Sequence, residues 1–406
     1  MERFGLIGRK LGHSFSPDIH SMVGGYEYKL YPLEPEELAL FLRDTELDGI
    51  NVTIPYKKDV IPMCRELSPR AKTIGSVNTM LRMTDGSWFG DNTDYYGFVY
   101  LLGRDAETLK DKKALVLGSG GASQTVCAVF RELGVSHTVI SRTGENNYGN
   151  LSLHSDAEII VNTTPVGMYP NNGESPVNLG RFPRCRLVID LIYNPTKTAL
   201  LLQAEELGIT ARNGLAMLAA QGVKAGELFL GKKSNENLTE EIIECIRRKT
   251  ESIVLIGMPG CGKTTVAQYL SEITGRKAVD TDMLIYEQTG IRIPEIFSRY
   301  GEKHFRELET EALREVSKES GLIIAAGGGV VTVPENRALI RQNSICVFLD
   351  SDPSRLDVTD RPISQTKGIK KLLEERMPLY RSWSDRIYKN ENSHETAIKI
   401  KEDMKL

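Results

Sequence analysis

The strongest chemical signal in the sequence is a glycine-rich loop in the second half of the chain. The run GMPGCGKT at 257–264 matches the pattern G-x-x-x-x-G-K-S/T between an apolar predicted strand and a predicted helix. In that setting backbone N–H groups can surround phosphates, Lys263 can reach the outer phosphates, and Thr264 can offer its hydroxyl to Mg²⁺. We therefore predict a nucleotide-phosphate site with these contacts: Gly260, Cys261, Gly262, Lys263, Thr264 and Thr265.

Two carboxylates follow the next predicted strand, which covers 277–279. Alternation along that strand would place Asp280 and Asp282 on one side, facing the phosphate site. There one carboxylate could hold a Mg²⁺ water and the other could take the proton of an attacking hydroxyl group. We take Thr264 and Asp280 as candidate metal ligands, and Lys263 and Asp282 as candidate catalytic groups of this half. A pair of helix N-cap residues is the alternative, which is plausible for one of the two aspartates.

A possible pocket for a small ligand follows further along the chain. A predicted helix beginning at Gly301 carries Arg306 and Glu309 three residues apart, a spacing at which the two side chains can pair and hold the guanidinium in place. The predicted strand at 322–326 runs into three glycines at 327–329, which let a ligand approach the backbone closely.

The first half contains a weaker glycine-rich signal, GSGGAS at 118–123, which is strengthened by the strand before it and the helix after it. It predicts dinucleotide contacts at Gly118, Ser119, Gly120, Gly121 and Ala122. After the next strand an NAD-binding fold should present an acid, but here the chain continues with Ser141, Arg142 and Thr143. An arginine flanked by hydroxyl residues suits a 2′-phosphate and favours NADP(H). The alternative is that Arg142 is only a surface charge.

A lysine that could transfer a proton follows a short predicted strand, GINVTI at 49–54. Alternation places Ile54 on the buried face, and Pro55 suits the first turn of a helix that would carry Lys57. A lysine in a cleft can give a proton to a carbonyl oxygen while hydride arrives at the carbon. On spacing alone, the preferred interpretation is a solvated lysine at a helix end, like its neighbour Lys58.

These motifs need elements that hold them, and the apolar pattern predicts short strands alternating with amphipathic helices in both halves. Such alternation is typical of an α/β fold with parallel, doubly wound sheets. A polar stretch at 232–237 and a predicted helix at 238–248 precede a new strand. We therefore place a boundary between two α/β parts near Thr250.

Composition narrows the class of protein. The chain has 406 residues, which corresponds to two or three domains at roughly 150 residues each. A formal net charge of −3 does not indicate a basic surface that would bind nucleic acid. No segment has the pattern of a signal peptide or of a membrane span. Six scattered cysteines without CxxC spacing and six histidines without HExxH predict a reducing compartment and no structural metal. We therefore expect a cytoplasmic protein that binds neither nucleic acid nor membranes.

The second half resembles shikimate kinase across 251–406. The matching motifs are the phosphate loop, DTD at 280–282, FR at 305–306, GGG at 327–329, RP at 361–362 and RMPLY at 376–380. The resemblance implies ATP and Mg²⁺ as cofactors, a P-loop α/β domain with a parallel sheet, and a lid over ATP that contains Arg361. It also implies contacts to shikimate from Asp282, Arg306, Gly328 and Arg376, of which the two arginines take its carboxylate. The lid here is shorter and more acidic than is usual in the family.

The first half looks like shikimate dehydrogenase throughout 1–250. The matching motifs are HSFSP at 13–17, NVTIPYK at 51–57, GSVNT at 75–79, GDNTD at 90–94, the GSGGAS loop, SRT at 141–143, NTTPVGM at 162–168, DLIY at 190–193 and NGLAMLAAQ at 213–221. The resemblance implies that Lys57 and Asp94 form the catalytic pair and that Leu191 and Gly214 lie near the nicotinamide. It implies these substrate contacts: Ser14, Ser16, Thr53, Asn78, Asp94, Tyr193 and Gln221.

Together the two resemblances imply a bifunctional enzyme of the shikimate pathway. The first half would reduce 3-dehydroshikimate to shikimate with NADPH, and the second would phosphorylate shikimate at its 3-hydroxyl with ATP. Within the first half, a substrate domain would cover about 1–95 and the helices at about 214–250, with a Rossmann NADP domain at about 96–213. Two alternatives stay open: a catalytically inactive regulator that senses shikimate or quinate, and a quinate dehydrogenase in the first half. The sequence leaves the oligomeric state open.

Overall fold

The structure is a computed structural model that describes residues 2–12, 14–356 and 369–406. Its residues group into two units. Unit 1 comprises Met1–Val166, Ser175–Tyr193 and Gln203–Ile246, and unit 2 comprises Gly167–Glu174, Asn194–Leu202 and Arg247–Leu406. Both units contain parallel strands flanked by helices, which confirms the predicted α/β class.

Unit 1 begins with a six-stranded sheet in the order β2-β1-β3-β5-β6-β4. Its strands are β1 (Arg3–Gly8), β2 (Glu27–Pro32), β3 (Gly49–Val52), β4 (Cys64–Leu67), β5 (Thr79–Arg82) and β6 (Trp88–Asp91), and the helices between them are α1 (Ser16–Val23), α2 (Leu38–Asp44) and α3 (Pro69–Ile74). Strand β5 is antiparallel to both of its neighbours, and the other pairs are parallel. The carboxyl ends of β1, β3 and β6 and the start of β5 therefore meet at one edge of the sheet.

The segment after β3 differs from the prediction. The strand ends at Val52, so alternation does not extend to Ile54, which is 76% exposed instead of buried. Pro55 does not begin a helix, because residues 54–60 form successive turns. The predicted helix start is therefore wrong, and Lys57 lies among turns at the edge where β3 ends.

The second sheet of unit 1 has five parallel strands in the order β11-β10-β9-β7-β8. These strands are β7 (Lys113–Leu117), β8 (Ser136–Ile140), β9 (Ile159–Asn162), β10 (Leu187–Asp190) and β11 (Thr210–Asn213), and the helices of this region are α4 (Asp94–Leu102), α5 (Gly121–Glu132), α6 (Ala199–Glu206), α7 (Leu215–Leu230) and α8 (Leu238–Thr250). The first residues of α6 and the last residues of α8 belong to unit 2. Every residue of β9 and β10 is buried, as expected for parallel strands covered on both faces. Helices α4 and α7 approach closely at Gly97, where an added Cβ would lie 2.5 Å from the Met217 carbonyl oxygen.

Unit 2 is built on a third sheet, with the parallel order β13-β14-β12-β15-β16. Its strands are β12 (Ser252–Ile256), β13 (Ala278–Asp280), β14 (Ile323–Ala325), β15 (Ser344–Asp350) and β16 (Arg386–Lys389), and its helices are α9 (Lys263–Thr274), α10 (Thr281–Thr289), α11 (Ile293–Val316), α12 (Pro334–Arg341), α13 (Ile369–Trp383) and α14 (Ser393–Met404). Helix α11 is divided at Gly301, whose φ of 82° and ψ of 174° are not helical, so the helix that carries Arg306 begins there as predicted. Within the described ranges, no helix is both long and apolar enough to cross a membrane.

Two segments that come earlier in the chain, 167–174 and 194–202, also belong to unit 2. They meet the turn between α12 and β15 through hydrogen bonds from Asn172 Nδ2 to Gln342 Oε1 (2.5 Å), from Thr196 Oγ1 to Asn343 Oδ1 (2.7 Å) and from Lys197 N to Gln342 O (2.8 Å). Gln342 and Asn343 are buried, so the two segments supply partners to polar groups that have little access to water.

Candidate active sites

The predicted catalytic pair of unit 1 comes together at the edge where β3 and β6 end. Lys57 Nζ donates to Asp94 Oδ2 at 2.6 Å, and the two side chains are only 19% and 9% exposed. Lys57 lies in the turns after β3, and Asp94 is the first residue of α4, shortly after β6. The low exposure limits screening of the pair by water and salt. The arrangement fits a proton donor held in place by a carboxylate.

Asn78 holds the Asp94 carboxylate from the other side. Its Nδ2 donates to Asp94 Oδ1 at 2.9 Å, and its Oδ1 accepts from the backbone N–H of Thr93 at 2.7 Å. Gln221, another predicted substrate contact, brings its Oε1 to 3.5 Å from the same Nδ2. Thr93, which also accepts from Asn78 through its hydroxyl at 3.0 Å, was not singled out from the sequence. The only signal for Thr93 was its place beside Asp94 in the GDNTD run.

The other predicted substrate contacts of unit 1 occupy loops and one helix start. Ser14 Oγ donates to Ser16 Oγ and accepts from the Ser16 backbone N–H, both at 3.2 Å, where α1 begins. Thr53 follows β3 directly and packs on Gly8, where an added Cβ would lie 2.5 Å from its Cγ2. Burial raises the pKa of the Tyr193 phenol, which therefore stays a neutral hydrogen-bonding group at ordinary pH.

The glycine-rich loop of unit 1 runs from the end of β7 into α5. Gly118 has a φ of 104°, and a Cβ there would lie 2.7 Å from Thr163 Oγ1, so the position requires glycine. Gly120 caps α5, whose first residue is Gly121. A Cβ on Gly121 would lie 3.7 Å from Lys57 Cδ, which places this loop beside Lys57.

The three residues predicted to select NADP follow β8. Ser141 Oγ accepts from the Gly144 backbone N–H at 2.8 Å and so fixes the turn. Arg142 and Thr143 are exposed at this turn. A guanidinium there is accessible to a phosphate group.

The two residues predicted to lie near the nicotinamide touch each other. A Cβ on Gly214 would lie 2.0 Å from the Leu191 carbonyl oxygen, so only glycine permits this approach. Leu191 follows β10 and Gly214 follows β11, and these are neighbouring parallel strands. Their carboxyl ends therefore lie at the same edge of the second sheet, where ligands of doubly wound folds bind.

The phosphate loop of unit 2 is formed as predicted between β12 and α9. Gly260 and Gly262 have φ values of 78° and 87°, a region that favours glycine. Lys263 is buried and its Nζ donates to the carbonyl oxygens of Gly257 and Met258, each at 3.0 Å. The Lys263 ammonium group thus bonds to carbonyl oxygens of its own loop. Phosphate oxygens of a bound nucleotide can replace these acceptors.

Both carboxylate oxygens of Asp280 accept hydrogen bonds. Asp280 Oδ2 accepts from Thr264 Oγ1 at 2.6 Å. Asp280 Oδ1 accepts from the backbone N–H groups of Asp282 at 2.9 Å and Met283 at 3.3 Å, and so caps the N-terminus of α10. Asp282 therefore lies in the first turn of a helix, so the prediction of two carboxylates alternating along a strand is wrong. A hydroxyl and a carboxylate oxygen this close are the hard ligands that Mg²⁺ takes beside a phosphate.

The predicted pairing of Arg306 with Glu309 is confirmed. Arg306 Nη1 donates to Glu309 Oε2 at 2.6 Å, and the side chains are 11% and 1% exposed. Burial raises the pKa of Glu309, and the Arg306 guanidinium opposes that rise. A Cβ on Gly327 would lie 2.2 Å from Glu309 Oε1, and one on Gly329 would lie 2.1 Å from Arg306 Nη1. The glycine run is needed because these two side chains fill the space beside it.

A second guanidinium meets the same glycine run. Arg376 is buried, and its Nη1 donates to the Gly328 carbonyl oxygen at 2.9 Å. The hydroxyl of Tyr380 donates to the same oxygen. Among the described residues, the Nε atoms of Arg306 and Arg376 are buried without hydrogen-bond partners. Buried guanidinium donors of this kind fit an anionic ligand. Tyr380 and the burial of Glu309 were not anticipated as parts of this site, and Arg361 lies outside the described residues.

Family models match both parts of the chain. The model described as the shikimate dehydrogenase substrate binding domain matches residues 6–80, and the model described as shikimate kinase matches residues 259–405. The first match therefore lies in unit 1 and the second in unit 2.

Whole proteins of the first family align over most of their own length. Shikimate dehydrogenase (NADP(+)) of Clostridium perfringens (strain 13 / Type A) is 36% identical over 266 residues, which cover 60% of this chain and 98% of the relative. The structure of shikimate 5-dehydrogenase from Thermus thermophilus, in complex with NADP(H) and shikimate, is 32% identical, has a TM-score of 0.55 and covers 60% of this chain and 99% of that one. A chorismate mutase/shikimate 5-dehydrogenase fusion protein from Clostridium acetobutylicum is 34% identical, with a TM-score of 0.57 and coverage of 61% and 98%. The chain therefore belongs to the shikimate dehydrogenase family, and it carries a shikimate kinase domain at residues 259–405.

Proposed function

We propose that this bifunctional enzyme reduces 3-dehydroshikimate to shikimate in unit 1 and phosphorylates shikimate in unit 2. The observation that carries the proposal is that each unit keeps the groups its own chemistry needs. Unit 1 has the Lys57–Asp94 pair beside a dinucleotide loop, and unit 2 has Lys263 and Asp280 at a phosphate loop. A regulator that had lost catalysis would not need these groups in working positions.

In unit 1, we assign Lys57 as the group that protonates the substrate carbonyl oxygen. NADPH, when bound at the glycine-rich loop after β7, supplies the hydride for the carbonyl carbon. As that carbon gains the hydride, the oxygen gains negative charge and takes a proton from Lys57 Nζ. Asp94, whose Oδ2 lies 2.6 Å from Nζ, orients the ammonium group for this transfer. Lys57 then regains a proton from water. Overall, the carbonyl group gains one hydride from the dinucleotide and one proton from water.

The substrate of unit 1 would be oriented by the loops around this pair. Ser14 and Ser16 offer hydroxyl groups to its carboxylate, and Thr53, Asn78, Tyr193 and Gln221 offer hydrogen bonds to its hydroxyl and carbonyl oxygens. The exposed Arg142 after β8 would bind the 2′-phosphate of NADP(H), because a guanidinium forms charge-assisted hydrogen bonds with phosphate.

In unit 2, we assign Asp282 as the acceptor of the proton of the shikimate 3-hydroxyl. Bound ATP would supply the phosphoryl group, and Thr264 and Asp280 would hold the Mg²⁺ that offsets the charge of its phosphates. Lys263 would leave the carbonyls of Gly257 and Met258 and stabilise the transferred group. Arg306 and Arg376 would hold the shikimate carboxylate in bidentate fashion, which uses their unpaired Nε donors.

We also infer that the enzyme works in a reducing cytoplasm. Its six cysteines (Cys64, Cys127, Cys185, Cys245, Cys261 and Cys346) are all free thiols in the structure. A protein that matures in an oxidising compartment more often pairs its cysteines.

The proposal is tested by assaying the purified full-length chain for each half-reaction, with a lysine variant of the phosphate loop. The wild-type chain should reduce NADP⁺ with shikimate and should also phosphorylate shikimate with ATP. Lys263→Ala should abolish phosphorylation only. Lys277→Ala, which removes an exposed lysine that pairs with Glu319 at 3.4 Å, is the matched control and should keep both activities. Absence of either activity in the wild-type chain, or loss of both in Lys263→Ala, would refute the assignment.

A further inference from the structure

An asparagine that follows the last strand of unit 2 contacts the phosphate loop. Asn390 comes directly after β16, and its backbone N–H donates to the carbonyl oxygen of Asp350, the last residue of β15, at 2.9 Å. Strands β12, β15 and β16 are parallel neighbours, so their carboxyl ends lie at the same edge of the sheet. The side chain of Asn390 therefore lies beside the loop that follows β12.

The Asn390 amide binds a backbone carbonyl group of that loop. Its Nδ2 donates to the Cys261 carbonyl oxygen at 2.7 Å, and Ser351 Oγ lies 3.2 Å from the same oxygen as a second donor. A Cβ on Gly262 would lie 2.7 Å from Asn390 Nδ2, so the amide packs directly against the loop. Cys261 is buried, so few water molecules compete for its carbonyl oxygen.

A buried threonine determines which way round this amide lies. Thr396, in the first turn of α14, donates from its Oγ1 to Asn390 Oδ1 at 3.0 Å. With the amide turned over, its oxygen would face the Cys261 carbonyl oxygen at the 2.7 Å now occupied by the NH₂ group. Two acceptors at that distance repel each other, so the NH₂ group faces the loop.

The contact with Asn390 determines the direction of one peptide group in the phosphate loop. The peptide bond between Cys261 and Gly262 is planar and trans, so its N–H points away from its carbonyl oxygen. Because the carbonyl oxygen points at Asn390, the N–H of Gly262 is directed to the opposite side, away from Asn390. Loops of this kind bind phosphates through backbone N–H groups, and Gly262 is among the residues that we assign to the nucleotide phosphates.

We propose that Asn390 is a positioning residue for ATP, which holds the Cys261 carbonyl outward and so keeps the Gly262 N–H available to the phosphates. The inference rests on the proposed kinase function of unit 2. Without the amide, the carbonyl oxygen keeps the longer contact with Ser351, and the peptide group is freer to turn. A carbonyl oxygen that turns toward the phosphates repels them. ATP should then bind less tightly, although Asn390 itself is assigned no contact with it.

The first test is Asn390→Ala in the full-length chain, assayed by shikimate phosphorylation and by equilibrium binding of ADP in the presence of Mg²⁺. We expect the KM for ATP and the dissociation constant of ADP to rise roughly tenfold, as for loss of about one hydrogen bond. The KM for shikimate and the rate of shikimate oxidation by unit 1 should not change. Unchanged ADP binding by Asn390→Ala would overturn the proposal.

Asn343→Ala is the matched control. Asn343 also holds a backbone carbonyl through its Nδ2, that of Thr250 at 3.0 Å, and its Oδ1 also accepts from a threonine, Thr196, at 2.7 Å. It directly precedes β15 and therefore lies at the amino end of the sheet, away from the edge that carries the phosphate loop. A general loss of stability should lower the amount of active enzyme in either variant, but only Asn390→Ala should raise the KM for ATP. An equal rise in Asn343→Ala would contradict a positioning role.

A second variant tests the same contact without removing the amide. Thr396→Val keeps the size of the side chain but removes the donor that orients Asn390, so it should also weaken ADP binding. Adding Asn390→Ala should weaken binding little further, because both changes act on one contact, whereas effects that simply multiply would count against it. If Asn390→Ala does not fold, unchanged ADP binding by Thr396→Val overturns the proposal. A wild-type chain that binds ADP but does not phosphorylate shikimate would instead refute the proposed function itself.

Discussion

Replacing Lys57 by alanine should remove the proton donor of the dehydrogenase reaction while leaving the kinase reaction intact. Lys57 Nζ lies 2.6 Å from Asp94 Oδ2, and a Cβ on Gly121 of the dinucleotide loop would lie 3.7 Å from its Cδ. Lys58, next in sequence, is exposed and does not offer a second ammonium group to this pair. The variant therefore tests the role of one atom in one reaction.

The size of the loss follows from the role assigned to this lysine. A positioned general acid or base contributes roughly 10²–10⁴-fold, which corresponds to about 3–5 kcal/mol of the barrier. Loss of the ion pair alone would have a smaller effect on rate, because Asp94 keeps its hydrogen bond from Asn78 at 2.9 Å. We therefore expect kcat for shikimate oxidation to fall by at least about a hundredfold.

The assay compares initial rates of shikimate oxidation and of shikimate phosphorylation in the same preparation of Lys57→Ala. Lys58→Ala is the matched control, since it removes an exposed lysine from the same turns, and it should change neither rate by more than about twofold. Unchanged phosphorylation shows that unit 2 is intact, and binding of NADP⁺ with wild-type affinity shows that unit 1 is folded. A Lys57→Ala enzyme that retains most of its oxidation rate would refute the role of Lys57.

Three further predictions concern the cofactor, the kinase substrate and the stability of unit 2. Arg142→Ala should lower the preference for NADP⁺ over NAD⁺ in kcat/KM by roughly tenfold or more, and an unchanged ratio would show that Arg142 is only a surface charge. Arg306→Ala should raise the KM for shikimate in phosphorylation far more than the KM for ATP, and the opposite result would move Arg306 to the nucleotide site. A fragment comprising 251–406 lacks the segments that bond to Gln342 and Asn343, so calorimetry should show a lower melting temperature than for unit 2 in the full-length chain. Equal melting temperatures would mean that these hydrogen bonds do not stabilise the unit.

Local patterns predicted the framework of both units. The phosphate loop lies between β12 and α9, and the weaker loop at 118–123 lies between β7 and α5, because each glycine run was read together with the apolar strand before it. Arg306 and Glu309 could be paired from their spacing alone, since a helix brings residues three apart to the same side. These successes share one cause: the partners are close in sequence.

The predictions that failed depended on where an element ends. Alternation was continued past Val52 to Ile54, and past Asp280 to Asp282, but both strands had already ended. A strand end depends on the partners of the strand in the sheet, and a single sequence does not show those partners. Lys57 was placed in a helix for the same reason.

Long-range polar contacts were the least predictable part of the sites. Lys57 and Asp94 are 37 residues apart and meet only because β3 and β6 end at the same edge. Spacing therefore favoured a solvated lysine, and only the family resemblance indicated the pair. Asn390 looks like an ordinary loop residue in the sequence, since its hydrogen bond to the Cys261 carbonyl oxygen joins residues 129 apart.

The central claim is that one chain carries out two consecutive reactions. The most direct measurement supplies the purified full-length chain with 3-dehydroshikimate, NADPH, ATP and Mg²⁺ and follows both NADPH and shikimate 3-phosphate. We predict that NADPH is consumed and that shikimate 3-phosphate forms only when NADPH and ATP are both present. Omission of ATP should leave shikimate as the product. Failure to consume NADPH, or accumulation of shikimate without its phosphate in the complete mixture, would contradict the account.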